Sequence, residues 1–284
     1  MTRNGNNAWY YLLPTALFLI AMGFAPLMTV INYSVQDSFA GDQYFWVGTQ
    51  WYEQMFRSIA FWQTLGRTIL FSFLTLTIQI FLGIFIARKL YLSGKFDQFF
   101  IAIFALPLLI PWIVVGFLWR HAVNADVGLI GATASHFGID IDLNSVVWVW
   151  GTIIVMDVWH WTSLTVILCY AGYVSIPKQY FFAAKIDGAQ EWATFRYIEL
   201  PRLKNVLTIS LLLRLADSLM IYTEPLMISR GGPHVSSTFL SQELIKTAMQ
   251  EFNLGEAGAL SVFYLLLMIS VAWVFYKSIR GANV

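Results

Sequence analysis

Three charged residues lie inside an apolar run near position 215, and their types and spacing could do chemistry. Arg214, Asp217 and Glu224 occur within "VLTISLLLRLADSLMIYTEPLMI", where positions 214, 217, 221 and 224 fall on one face of a helix. A charge near the centre of a bilayer costs about 2.5–3.5 kcal/mol, so this run must face protein or water. Pro225 lacks a backbone donor, which predicts a break or kink beside Glu224.

This polar face has two interpretations. Intramembrane ionisable groups often mark a ligand route, whose residues would be Arg214, Asp217, Ser218, Tyr222 and Glu224. Alternatively, Arg214 forms a structural ion pair with Asp217, one helical turn away, and holds spans together.

A second polar group lies near position 160. Asp157, His160 and Trp161 share one helical face, and an indole beside a carboxylate suits a polyhydroxylated ligand. A buried packing cluster explains them equally well. Gln79, in another apolar run, could bond across helices, and we assign it no role in the pathway.

The remaining sequence argues against other chemistry. The four histidines are scattered without metal-ligand spacing, so we expect no metal site. No G-x-x-x-x-G-K-[ST], G-x-S-x-G or H-E-x-x-H motif occurs. We therefore expect no enzyme activity and no cofactor bound by this chain.

Composition and run length indicate an all-α integral membrane protein. Hydrophobic residues make up 58% of the chain and charged residues 12%, against about 45–50% and about 25% in soluble domains. Runs of roughly 20 apolar residues can cross a bilayer, and they lie near 11–33, 65–87, 99–119, 146–173, 206–228 and 257–276. They exceed the length of buried core helices and do not alternate as β-barrel strands do. We expect six transmembrane helices in a single domain over 1–284, with the third bent by Pro107 and Pro111.

The basic residues predict the orientation. Eleven Lys and Arg lie in the amino terminus, the 88–98 and 174–205 segments and the carboxy terminus, against five in the alternate segments. Positive residues mark the cytoplasmic side. We therefore expect both termini, and the loop 178–204, to be cytoplasmic.

That loop contains an amphipathic segment, "YFFAAKIDGAQEWATFRYIELP". An apolar face recurs at three- and four-residue spacing, and Asp187-Gly188 predicts a tight turn between two short helices. Pro201 is predicted to stop the second helix before the fifth span. Such an element suits a groove on a partner, although an ordinary interfacial helix fits the pattern as well.

The same segment resembles the cytoplasmic signature of ABC-importer permeases, Glu-Ala-Ala, three residues, Gly, nine residues, Ile-x-Leu-Pro. The matching residues are Ala183, Ala184, Gly188, Ile198, Leu200 and Pro201, and those typical of carbohydrate importers are Asp187, Ala189, Trp192 and Phe195. One position departs from the signature, because Phe182 stands where the leading Glu is expected. In this family the segment is a coupling helix that sits in a cleft of the ATPase subunit.

The resemblance extends to "GGP" at 231–233 and the residues after it. Sugar-permease subunits of the maltose and glycerol-phosphate type have a Thr, a helix, a Phe and small residues there, matched by Thr238, Phe252, Gly255, Ala257 and Ala259. The segment "STFLSQELIKTAMQEF" also has the spacing of an amphipathic surface helix. The resemblance implies a type I ABC-importer permease in the inner membrane. Its partners would be a second permease subunit, two cytoplasmic ATPase domains that bind ATP and Mg, and an extracytoplasmic solute-binding protein.

The substrate interpretation is narrower. Asp217, Tyr222 and Glu224-Pro225 look more like the small-polyol branch, such as glycerol importers, than like other sugar permeases. Two alternatives come from other classes. One is an ion-coupled secondary transporter using Asp157, Asp217 and Glu224, and the other is a membrane enzyme using Asp157 and His160.

Overall fold

The fold is built almost entirely of helices. A computed structural model describes residues 8–39, 43–94, 97–233 and 235–281, so two of the basic residues used above to predict orientation, Arg3 and Lys95, lie outside the described residues. The α-helices are α1 Ala8–Leu19, α2 Ala25–Tyr33, α3 Gln50–Arg57, α4 Ile59–Ser93, α5 Asp97–Ala105, α6 Trp112–Ala122, α7 Leu129–His136, α8 Val146–Val174, α9 Lys178–Ile186, α10 Glu191–Thr194, α11 Leu200–Leu219, α12 Thr223–Ser229, α13 Leu240–Met249 and α14 Leu254–Gly281. Shorter π and 3-10 turns are Ile20–Phe24, Leu106–Leu109 and Phe195–Glu199, and the strands are β1 Gln36–Phe39 and β2 Gln43–Trp46.

The predicted spans correspond to long apolar helices. Within the part of the chain that the structure describes, four unbroken helical stretches are long and apolar enough to cross a membrane: Leu12–Tyr33, Ile59–Ser93, Val146–Val174 and Leu254–Lys277. Two bent pairs bring the total to six if each counts as one span: Asp97–Leu109 with Trp112–Ala122, and Glu191–Leu219 with Thr223–Ser229. The expected all-α membrane architecture is therefore confirmed. The helix of the second span, α4, is longer than predicted, with 35 residues.

The third span bends at its prolines, as predicted. Its two halves meet at 96°. Pro107 lies in the 3-10 turn between α5 and α6, and Ile110 has the extended backbone (φ −87°, ψ 125°) that a residue before proline favours. Pro111 then caps α6.

The fifth span also breaks, but the break precedes Glu224-Pro225, the position at which the sequence predicted it. Its two halves differ by 49°, and the break covers 220–222, between α11 and α12. Pro225 lies in the first turn of α12, where its missing N–H would have no helical acceptor anyway. The proline is therefore accommodated by a helix start and does not itself form the break.

The prediction that Pro201 stops the helix before the fifth span is wrong. Helix continues from Glu191 to Leu219, and Pro201 lies in the first turn of α11, directly after the π turn Phe195–Glu199. The hydrogen bonds of a π turn span five residues, and this wider spacing accommodates the N–H that Pro201 lacks. The helix therefore continues into the fifth span.

The described chain forms two units, one of which contains residues 1–62 and 243–269. In this unit β1 pairs antiparallel with β2, with Gln36 opposite Trp46. Small residues at the start of α14 allow close packing, because a Cβ on Gly255 would lie 2.3 Å from the indole nitrogen of Trp51. The helix predicted in "STFLSQELIKTAMQEF" is present as α13, which begins just before this unit.

The other unit contains residues 63–242 and 270–284 and holds the polar residues singled out above. Two apolar clusters form part of its core among the described residues. One is centred on Phe71, Ile153 and Met156, and the other contains Ala87, Cys169, Tyr173, Ile176 and Leu203. Glycine lets α4 approach α8, because a Cβ on Gly83 would lie 2.4 Å from Cγ2 of Thr165.

We predict that Gly83→Ala destabilises the protein, because the added methyl must displace Thr165 and overpacking costs about 1–3 kcal/mol. Gly66→Ala in the same helix is the matched control, since a Cβ there has no neighbour within 4 Å. The control should be neutral or stabilising by up to ~1 kcal/mol through helix propensity. Thermal unfolding of the purified chain in lipid nanodiscs measures both, and equal stability of the two variants would contradict the packing argument.

Candidate functional site

A buried guanidinium joins three of the apolar helices. Arg214 of α11 is 1% exposed and lies 2.9 Å from Asp157 of α8, which is 2% exposed. Gln79 of α4 completes the arrangement, since its Oε1 accepts from Arg214 Nε at 3.0 Å and its Nε2 donates to Asp157 Oδ2 at 2.7 Å. Each of the three side chains therefore bonds to both others.

Two further groups complete the surroundings of Arg214. Its Nη1 donates to Asp217 at 2.5 Å, and the indole of Trp161 lies under the guanidinium with 4.3 Å between Cζ and the ring centroid. Two carboxylates and an aromatic face thus share one cation. The structural ion pair inferred from the sequence is present, and Asp157 extends it to a second helix.

Several buried polar atoms of α8, the helix that carries Asp157, have no hydrogen-bond partner among the described residues. They are Nδ1 of His160, Nε1 of Trp161 and Oγ1 of Thr162, all on α8. The rings of His160 and Trp161 lie 5.2 Å apart. Buried polar groups are normally paired, so these three have hydrogen-bonding capacity available for a ligand or for water.

The other predicted pathway residues are placed less uniformly. Glu224 is buried in the first turn of α12. Ser218 is buried, but its hydroxyl donates to the carbonyl of Leu215 in its own helix at 3.2 Å. Tyr222 is half-buried in the break between α11 and α12. The predicted residues therefore cluster in one unit, and their role in a pathway stays a prediction.

Gln79 is the residue that sequence reasoning missed. It was expected to bond across helices, which it does, but it was given no part in the site. The available signal was its position as a lone amide in an otherwise apolar run, because such a group must find a partner in a neighbouring helix.

The amphipathic segment between the fourth and fifth spans contains the predicted turn. Gly188 has φ +68°, and the backbone bonds from Ala189 N to Ala184 O (2.9 Å) and from Gly188 N to Lys185 O (3.2 Å) form a Schellman motif. The motif ends α9 and redirects the chain into α10. Only a residue tolerant of left-handed backbone fits at position 188.

The apolar side chains of this segment divide into two sets. Ala184 is buried, whereas Phe182, Ile186 (86% exposed) and Trp192 (68%) are open. The remaining predicted coupling residues are Ala183, Asp187, Ala189 and Pro201, which are exposed, and Phe195, Ile198 and Leu200, which are half-buried. Phe182, at the position where the family signature has Glu, therefore adds to an exposed apolar surface.

Aromatic contacts hold this segment in place. Tyr91 of α4 lies 5.8 Å from Phe181 of α9 between ring centroids, and the guanidinium of Arg202 lies 4.1 Å from the ring of Tyr180. The segment is therefore packed on one side, and its exposed residues face away from those contacts.

Among the described residues, no group of three or more His, Cys, Asp or Glu side chains is arranged to hold a metal ion. The carboxylates of the Arg214 network are directed at the guanidinium instead.

We predict that Arg214→Met is strongly destabilising, because removing one member of a buried ion pair leaves the other uncompensated, at about 3–5 kcal/mol. Adding Asp157→Leu should recover most of the loss, since apolar side chains replace a buried pair well. Arg57→Gln is the control, because its pair with Glu53 is exposed at 3.9 Å and is worth at most ~1 kcal/mol. Thermal unfolding of the purified variants measures the series, and a loss for Arg214→Met no larger than the control would contradict the role of Arg214.

Comparison with known proteins identifies the family. The model of the "Binding-protein-dependent transport system inner membrane component" family matches residues 79–280. The chain is 30% identical over 236 residues to the trehalose/maltose transport system permease protein MalF of Thermococcus litoralis, covering 81% of this chain and 79% of that protein. It is 28% identical to the probable starch degradation products transport system permease protein AmyD of Thermoanaerobacterium thermosulfurigenes, covering 98% and 96%.

A solved structure has the same fold. The crystal structure of a bacterial alginate ABC transporter in complex with an alginate pentasaccharide-bound periplasmic protein superposes with a TM-score of 0.82 at 20% identity, covering 97% of this chain and 94% of that chain. The expectation of an ABC-importer permease fold is thereby confirmed. This chain belongs to the family of binding-protein-dependent transport system inner membrane components.

Proposed function

We propose that this chain is a membrane-spanning permease subunit of an ATP-driven importer for an uncharged carbohydrate or small polyol, with glycerol as the first substrate to test. The family match over 79–280 is the observation that carries the importer class. Permeases for trehalose/maltose and for starch degradation products among its relatives favour a carbohydrate. The family match leaves an ion-coupled transporter or a membrane enzyme without support.

The charges of the Arg214 network favour an uncharged substrate. Two carboxyl groups, those of Asp157 and Asp217, bond to the one guanidinium of Arg214. Because Arg214 is already bonded to both, it offers little to a phosphate or sugar carboxylate. An acidic ligand would meet net repulsion here.

The free polar atoms suit hydroxyl groups. The indole N–H of Trp161, which has no partner among the described residues, can donate, and the carboxylate of the buried Glu224 can accept, so together they match the donor and acceptor character of a polyol. Trp161 is stacked on the guanidinium of Arg214. These groups are compatible with a three-carbon polyol.

We assign the binding and hydrolysis of ATP to partner subunits. The segment 180–201 would dock by its exposed Phe182, Ile186 and Trp192 into an ATPase domain, which binds ATP and Mg. The complete transporter would contain a second permease, two ATPase domains and an extracytoplasmic solute-binding protein. Closure of the ATPases would move the segment and reverse access to the pathway, with both termini on the cytoplasmic side.

Uptake by host cells with and without this chain tests the substrate. We predict saturable uptake of radiolabelled glycerol at low micromolar concentration that requires the chain and is blocked by unlabelled glycerol but not by disaccharides. Trp161→Phe and Glu224→Gln should each raise the half-saturating concentration about tenfold, the effect of losing one hydrogen bond worth ~1.4 kcal/mol. Trp159→Phe is the matched control on the same helix, because Trp159 is 41% exposed.

The possible outcomes test the substrate and the transporter class separately. Chain-dependent uptake of a larger neutral sugar in place of glycerol would refute the polyol and keep the importer. Competition by sugar acids alone would contradict the charge argument.

A second prediction concerns coupling. Gly188→Pro should weaken ATPase binding or uncouple ATP hydrolysis from uptake, because proline requires negative φ and removes the N–H bonded to Lys185. Gly138→Pro is the control, since Gly138 also has positive φ (+76°) and an N–H bonded to Ser135, at 3.0 Å. Substrate uptake and the amount of co-purified ATPase subunit are measured for both variants. Full transport by Gly188→Pro would refute the coupling role.

A further inference from the structure

A second ion pair, between the partly exposed Arg88 and the buried Glu199, lies where the segment 180–201 meets α4. Arg88 Nε donates to Glu199 Oε2 at 2.7 Å, and Arg88 Nη2 donates to Glu199 Oε1 at 3.3 Å, so the pair is bidentate. The Glu199 side chain is 2% exposed and that of Arg88 18%. Neither residue belongs to the family signature, in which Glu199 occupies the unspecified position between Ile198 and Leu200.

The pair lies at the meeting point of four elements. Tyr173 of α8 donates its hydroxyl to Glu199 Oε2 at 3.2 Å. Its ring stacks on Tyr91 of α4 at 5.5 Å, and Tyr91 in turn contacts Phe181 of α9. The guanidinium of Arg88 also lies 5.6 Å from the ring centroid of Phe195. Glu199 is thus held by α4 and α8 at once.

Glu199 ends a turn of unusual backbone. The π turn Phe195–Glu199 carries one residue more per turn than the α-helices on either side. Relaxing it to α-helical register would rotate the preceding residues by about 100°, the angle that one residue subtends in a helix. Trp192, in the helix just before the turn, would then face another direction. The bonds to Glu199 therefore help to fix the direction of the exposed coupling surface.

A requirement for stability explains this pair poorly. Burying the Glu199 charge costs desolvation that its attraction to Arg88 does not always repay, and apolar residues of similar size often serve equally well. A bidentate pair fixes the register between two elements, whereas an apolar contact does not. Arg88 and Glu199 are on elements that must move together if force applied to 180–201 is to reach the second span.

We propose that Arg88 and Glu199 are positioning residues for coupling. They clamp the π turn of the segment 180–201 to α4, so that displacement of the exposed Phe182, Ile186 and Trp192 moves α4 and the fifth-span helix as one body. This inference rests on the proposed function, because it supposes that an ATPase binds that surface.

The test uses the whole transporter, purified through this chain and reconstituted in liposomes with its binding protein. The readout is stimulation of ATP hydrolysis by the binding protein, accompanied by the thermal midpoint and the amount of co-purified ATPase subunit. Arg88→Met combined with Glu199→Leu replaces the clamp with apolar packing. We expect this variant to keep the thermal midpoint and the ATPase subunit while stimulation falls at least tenfold.

The charge-swapped variant Arg88→Glu with Glu199→Arg supplies a second, independent measurement. We expect each single substitution to reduce stimulation and the swap to restore it to within about threefold, because the pair itself is what acts. Arg88→Lys should restore it only in part, since an ammonium cannot bond in the same bidentate way. Arg57→Gln, which removes an exposed pair, should leave stimulation unchanged.

Other results would overturn the clamp. Normal stimulation in the apolar double variant would show that register is not needed, and stimulation that only follows the thermal midpoint would reduce the pair to a structural role. A swapped variant that folds and assembles without recovering stimulation would also refute it. Absence of any ATPase subunit bound to the unmodified chain is a different result, because it would refute the proposed function and the clamp with it.

Discussion

The constraint on which this structure depends is the need to neutralise a guanidinium inside apolar helices. Arg214 is 1% exposed and cannot reach water. The free-energy cost of an uncompensated charge there would exceed the stabilisation that the surrounding apolar residues provide. Asp157 and Gln79 on two other helices meet this need, with Asp217 on its own helix. Packing between apolar helices has little directional preference in lipid, so such bonds define which faces meet.

Much of the fold follows from local rules and could be predicted from the sequence. Run length identified the spans, because a bilayer imposes a minimum number of apolar residues. Pro107 and Pro111 indicated the bend in the third span, and Asp187-Gly188 indicated the turn that the Schellman motif forms. These features depend on residues close together in the chain, and local stereochemistry determines them.

The features that were not predicted depend on partners far apart in the sequence or on a departure from α-helical backbone geometry. Gln79 and Asp157 are 78 positions apart, and Arg88 and Glu199 are 111 apart, so no local pattern links them. Pro201 was expected to stop a helix, but a π turn accommodated it, which hydrophobic periodicity does not indicate. The candidate site could therefore be predicted as a set of residues on two helices, but not as a network of three.

The Arg214 network and the Arg88–Glu199 pair have a joint consequence for movement. Gln79 and Arg88 lie on the same helix, nine positions and about 13 Å apart along its axis, and both bond to the fifth-span helix. The fourth-span helix takes part at both levels, through Asp157 and Tyr173. A single attachment would leave a hinge about which one helix could tilt against another. Two separated attachments oppose that tilt, so a displacement that entered near Glu199 would be carried to the surroundings of Arg214. The same bonds that neutralise buried charge thus connect the segment 180–201 to the candidate site.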